Sequence, residues 1–148
     1  GGAIVASPSQ DNYEDSQVGT ISGNFIGNGI MGFVASGGAV MVGDVSDRTI
    51  NIENADFYNN FASGDYTYGG AIYGVSWSGG GVIAIKNSKF YNNMGYGGYE
   101  AVGGAVSLET GGKIINSVFE GNSITGQYAT AGALFNGYYT SEISGSFR

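Results

Sequence analysis

Apolar and polar residues alternate in short runs that return along the whole chain. The clearest, Ile50 to Ala62, reads I-N-I-E-N-A-D-F-Y-N-N-F-A, and Ile50 and Ile52 lie two apart, so both point to one face as a half-buried strand requires. Further copies run from Ile83 to Met94 (I-A-I-K-N-S-K-F-Y-N-N-M) and from Ile114 to Ile124 (I-I-N-S-V-F-E-G-N-S-I). Each leads into a small-residue motif: Gly69-Gly70-Ala71-Ile72, Gly103-Gly104-Ala105-Val106 and Ala131-Gly132-Ala133-Leu134. Helical repeats are disfavoured because the apolar spacing is two, β-branched residues hold the periodic positions and Gly pairs interrupt the units.

Five units align on Phe25, Phe57, Phe90, Phe119 and Phe147, and five on Ala3, Ala39, Ala71, Ala105 and Ala133. From each Phe to the next motif Ala the separations are 14, 14, 15 and 14 residues, whereas from each Ala to the following Phe they are 22, 18, 19, 14 and 14. Length variation is therefore confined to one arc of the repeat, and variable loops on a fixed scaffold are where binding usually resides.

A unit of roughly 30 residues with two or three short strands cannot bury its apolar face alone, but stacked copies can. The pattern predicts an all-β fold, a parallel β-helix (β-solenoid) of about five coils, as a single domain over residues 1–148. Equivalent residues of successive coils then lie about 4.8 Å apart, so each aligned column becomes a ladder. The five Phe residues would stack in the interior. Asn28, Asn60, Asn93 and Asn122 follow three residues after the first four Phe. An amide there can satisfy exposed backbone groups at a turn and bond to the same amide of the next coil. Asn54, Asn87 and Asn116 form a shorter second column, with Ser22 and Ser144 at its ends.

The alternation of Gly37-Gly38-Ala39-Val40, Gly69-Gly70-Ala71-Ile72 and Gly103-Gly104-Ala105-Val106 with F-x-x-N at Phe25, Phe57, Phe90 and Phe119 resembles the G-G-A-I and F-x-x-N repeats of the polymorphic outer-membrane proteins. More loosely, it is similar to the right-handed parallel β-helix of autotransporter passengers and pectate-lyase-like proteins. The resemblance implies a secreted or surface-displayed adhesive β-helix, extracellular or on the cell surface, with surface glycans or host proteins as ligands. Right-handedness is implied by the resemblance and agrees with the general rule for crossovers between parallel strands. Departures from the pattern are Ala131 in place of the first Gly, and Arg148 arriving before any final Asn.

Composition narrows the function classes. A formal charge of -7 with five Lys and Arg supplies no phosphate-binding surface, so nucleic acid is not an expected partner. The absence of Cys and His removes thiolate chemistry, disulfides and nearly all zinc or copper sites, and no metal or cofactor is expected. Residues Gln17 to Gly43 are uncharged, but Asn24, Asn28 and several Gly break them well short of the roughly 20 apolar residues of a membrane span. The chain starts with Gly rather than Met, which reads as a processed or excised piece.

Catalytic residues are not expected. A polysaccharide-active lyase or hydrolase is the alternative, with acids among Asp44, Asp47, Glu53 and Asp56 beside Arg48, Lys86 or Lys89. Glu53 with Lys86, and Asp56 with Lys89, occupy matching repeat positions and read as charge pairs between coils. The acidic loop Asp11-Asn12-Tyr13-Glu14-Asp15 offers oxygen ligands for calcium without the spacing of a recognised loop, and reads more simply as a bare acidic loop. Tyr66, Tyr68, Trp77, Tyr96 and Tyr99, with Tyr128, Tyr138 and Tyr139, offer a carbohydrate or partner surface, or pack between corners. Solenoid ends expose strand edges, and this chain begins and finishes inside its repeat. Gly1, Gly2, Ala3, Ile4, Ile143 and Phe147 are therefore expected to touch neighbouring copies head to tail, building a filament. The competing explanation is a fragment of a longer passenger.

Overall fold

The computed structural model describes residues 3–6, 18–43, 48–76, 81–137 and 142–148. Among these, sixteen strands and no helix lie on three parallel sheets. Sheet A holds Ile4–Ala6, Val40–Val42, Ile72–Gly74, Val106–Leu108 and Leu134–Asn136. Sheet B holds Val18–Ile26, Thr49–Tyr58, Val82–Lys86 with Lys89–Tyr91, Gly112–Glu120 and Glu142–Phe147. Sheet C holds Gly29–Met31 with Val34–Ser36, Phe61–Tyr68, Met94–Val102 and Ser123–Thr130. The chain visits A, B and C in turn, so it is a parallel β-solenoid. The expected stack of about five coils is seen as four complete turns and two faces of a fifth.

Repeat positions that match in sequence meet in space. Ile50 pairs with Ile83, Ile52 with Ile85, and Ile85 with Ile114, all pointing into the core. The rings of Phe25, Phe57, Phe90, Phe119 and Phe147 form one pile, with centroids 4.7, 4.8, 4.6 and 4.8 Å apart and planes within 7° of parallel. That interval is the spacing of neighbouring strands, so the backbone ladder sets it. Phe57, Phe90 and Phe119 are fully buried, but Phe147, expected inside, is 46% exposed because no coil covers it.

The asparagine column is a continuous chain of amides. Asn60 Oδ1 accepts the backbone N–H of Asn28 at 2.9 Å and its Nδ2 at 3.0 Å, while Asn60 Nδ2 donates to Phe25 O and to Asn93 Oδ1, both at 2.9 Å. Asn93 repeats the pattern: its Oδ1 accepts the Asn60 N–H, and its Nδ2 donates to Phe57 O and Asn122 Oδ1. Asn122 Nδ2 continues to Phe90 O at 2.8 Å. An amide is the one neutral side chain with both two acceptor lone pairs and two donors, which is what this turn consumes.

The second column works differently from the first. Asn54, Asn87 and Asn116 have φ of 52°, 48° and 49°, the left-handed region that Asn tolerates best among residues with a side chain. Each inserts an extra residue into its strand, and the residue after it, Ala55, Ser88 or Ser117, turns inward. Ser88 Oγ accepts Ala55 N–H and Ser117 Oγ accepts Ser88 N–H, both at 3.3 Å. The first and last strands of sheet B have one residue fewer here, with Gly23 and Gly145 at the bend.

The G-G-A motif turns the corner from sheet C to sheet A. The N–H groups of Gly69, Gly70, Ala71 and Ile72 donate to Val102, Gly103 and twice to Ala105 of the next coil, and the corners at 37–40 and 103–106 do the same. The first motif residue is left-handed in all four copies in which it is described, Gly37, Gly69, Gly103 and Ala131, the last at φ 63°. A Cβ in that region crowds the following carbonyl. We therefore expect Ala131→Gly to raise stability by about 0.5 to 1 kcal/mol in urea denaturation, the relief of strain exceeding the added freedom of the unfolded chain.

Candidate functional site

Chemistry on this scaffold sits on its outer faces, where alternate strand residues point to solvent. On sheet B the acids considered for catalysis are engaged with lysines. Asp56 Oδ1 lies 3.8 Å from Lys89 Nζ, and Glu53 stands opposite Lys86 in register. Asp44 and Asp47 lie outside the described residues, as do the Asp11 to Asp15 loop, Trp77, Tyr138, Tyr139, Gly1 and Gly2. Among the described residues no group of three metal-ligating side chains comes together, and no helix is long and apolar enough to cross a membrane.

Sheet C carries an aromatic column along the axis. Phe33, Tyr66, Tyr99 and Tyr128 follow one another with ring centroids 5.5, 5.6 and 5.0 Å apart and planes turned by 65°, 58° and 67°. Successive rings alternate in orientation, so both faces and edges reach the outside. Phe33, Tyr99 and Tyr128 are exposed, as are Met31, Val34, Met94 and Tyr96 on the same sheet. Of the tyrosines singled out from the sequence, the structure thus brings Tyr66, Tyr96, Tyr99 and Tyr128 to one face. Phe33 was missed because it lies in a bend between two short strands, away from the aligned motifs. Two acids lie beside the column, Asp65 against Gly98 and Glu100 opposite Tyr66.

Tyr68 belongs elsewhere. The left-handed residue at Gly69 folds the end of sheet C back toward the outer face of sheet A, and the Tyr68 ring lies 5.7 Å from that of Tyr73. The outer face of sheet A carries Met41, Tyr73, Ser107 and Phe135 in register. A groove of about 210 Å³ runs along this corner, lined by Tyr68, Glu100, Val102, Glu109 and Phe135. Tyr73 is buried beside Tyr68, and burial first, then hydrogen bonding and charge from Glu109, pushes its phenol well above the usual range. Burial, followed by Glu100 and Glu109, raises Tyr68 as well. A signal for this groove was available: an outward strand position that should read polar instead reads Met, Tyr, Ser, Phe.

The terminal coils present the rest of the named residues. Ala3 is exposed and Ile4 partly buried, paired with Val40. At the other end Ile143 and Phe147 stand 47% and 46% exposed above Ile114 and Phe119, which are fully buried.

These features define a parallel β-solenoid repeat protein. Compared with protein-family models, with curated proteins and with solved structures, the chain matches none.

Proposed function

We propose that the chain is a secreted or surface-displayed, non-enzymatic module that uses the aromatic face of sheet C for adhesion to neutral glycans. The observation that carries this reading is the column Phe33, Tyr66, Tyr99 and Tyr128, of which all but the half-buried Tyr66 are exposed. Contiguous apolar surface of this kind marks interaction sites, and amphipathic rings pair with the apolar faces and hydroxyls of sugars. Asp65 and Glu100 beside the column, with a chain charge of -7, oppose sulfated or uronic polymers. The likeness of the repeats to those of polymorphic outer-membrane proteins supports placement outside the cell, and the crossover rule supports a right-handed coil.

Retention on immobilised neutral and sulfated glycans tests the reading. The parent chain is expected to bind neutral polymers, and Tyr99→Ala with Tyr128→Ala to weaken binding about tenfold, as the loss of two ring contacts implies, with unchanged circular dichroism. Equal binding by the double variant, or retention on sulfated polymers alone, ends it. Glycan cleavage in the same assay would favour the polysaccharide-active alternative.

A second reading, head-to-tail assembly of copies, is favoured by the half-exposed Ile143 and Phe147 and by Gly132. A Cβ on Gly104 would strike Gly132 O and Ser123 O in the next coil, whereas one on Gly132 meets nothing closer than Asn122 O at 3.9 Å. Gly132→Leu should therefore leave the monomer's melting temperature unchanged and abolish rods in electron micrographs. A parent chain that stays monodisperse at high concentration overturns this reading.

A further inference from the structure

The groove where sheets A and C meet is chemically unlike the aromatic face, with which it shares only the bordering Glu100. Its lining combines two carboxylates, Glu100 and Glu109, with the rings of Tyr68 and Phe135. None of the chain's five cationic residues, Arg48, Lys86, Lys89, Lys113 and Arg148, lines it. Alongside lies an independent anomaly. Ser107 is fully buried, and its Oγ has no hydrogen-bond partner. It occupies the outward position of sheet A between Tyr73 and Phe135 in register, and Phe135 lines the groove. A buried hydroxyl without a partner costs free energy, and such groups in native proteins call for a ligand or other explanation.

We propose that this groove binds the ammonium group of a lysine side chain presented by a partner polypeptide. Volume sets the size: about 210 Å³ is below the roughly 300 to 1,000 Å³ of whole small-molecule sites and suits one long side chain. Charge sets the sign, since two carboxylates without a local cation favour a positive guest. The walls add to this, because ring faces attract an ammonium and leave its methylene stem in apolar contact with Val102 and Phe135. Donor type agrees: an ammonium has N–H donors and no acceptor, and the Glu100 and Glu109 carboxylates are acceptors only. The Tyr73 hydroxyl, donating to Glu109, holds that carboxylate in place. The raised phenols of Tyr68 and Tyr73 are consistent with the negative field at this corner.

The test is a titration of the isotope-labelled chain with Nα-acetyl-lysine amide, followed by amide NMR shifts. Saturable shifts are expected at Ser107, Glu109 and Phe135, and none with Nα-acetyl-norleucine amide, which keeps the stem and lacks the charge. Glu100→Gln with Glu109→Gln should weaken binding about tenfold or more, as loss of charged hydrogen bonds implies. Should the double variant not fold, weakening of the parent's binding by added salt serves in its place. Equal shifts from the norleucine probe, shifts located elsewhere, undiminished affinity in the folded double variant, or salt-independent binding would each overturn the proposal.

Discussion

Gly104→Ala is expected to destabilise the solenoid by about 3 kcal/mol or more, read as a fall in the urea midpoint, while Gly132→Ala stays within about 0.5 kcal/mol of the parent. Both are the second Gly of the same corner motif. What differs is the coil above. A methyl on Gly104 would run into the carbonyl oxygens of Gly132 and Ser123, backbone atoms that can yield only by parting the two coils. Gly70 is hemmed in the same way by Gly104 O and Met94 O, so Gly70→Ala should match the Gly104 variant. Because solenoid stability is approximately a sum over neighbouring coils, loss of one interface should also broaden the transition or split it into two steps. Equal effects at Gly104 and Gly132 would mean that contact between coils is not what the motif protects.

Asn93→Ala should cost about 3 to 5 kcal/mol. The substitution removes the acceptor of the Asn60 backbone N–H and side-chain amide, and the donor to Phe57 O and Asn122 Oδ1. Asn60, Phe57 and Asn93 are all fully buried, so these groups lose their partners where water does not replace them. Asn93→Asp keeps the shape and the acceptor but sets a carboxylate against Phe57 O and Asn122 Oδ1, and should be no better tolerated at neutral pH. At the column's edge Asn28 is only partly buried, and Asn28→Ala should cost roughly half as much. Urea denaturation with the slope checked for constancy separates these cases. An Asn93→Ala chain as stable as the Asn28→Ala one would show that the ladder is not cooperative along the axis.

The spine of this molecule was legible because a solenoid converts alignment into stacking. Residues in one column of the repeat, such as Phe57 and Phe90 or Asn60 and Asn93, become neighbours without any further folding rule. What escaped depends on departures from that translation. Tyr66, Tyr99 and Tyr128 each stand nine residues after their repeat Phe, but Phe33 stands eight after Phe25, so the first ring of the column falls out of the count. The groove escaped because Tyr68 reaches Tyr73 across a left-handed corner, and Ser107 and Phe135 each look ordinary alone. Asn54, Asn87 and Asn116 were noticed as a column, but their role is to bend the chain, while the adjacent serines make the bonds between coils.

The amide ladder also gives the rod a direction. Every link from Asn28 through Asn60 and Asn93 to Asn122 runs donor to acceptor toward the C-terminal coil, and the N–H groups of each G-G-A corner point the same way. Elsewhere the bonds between coils run both ways, as Gly43 N–H to Ala6 O and Phe61 N–H to Asn28 O do, so the direction belongs to the ladder and the corners alone. Anything laid on the C-terminal end, whether further coils of a longer chain or a second molecule, would have to offer acceptors at those two places. Growth by stacking would be polar.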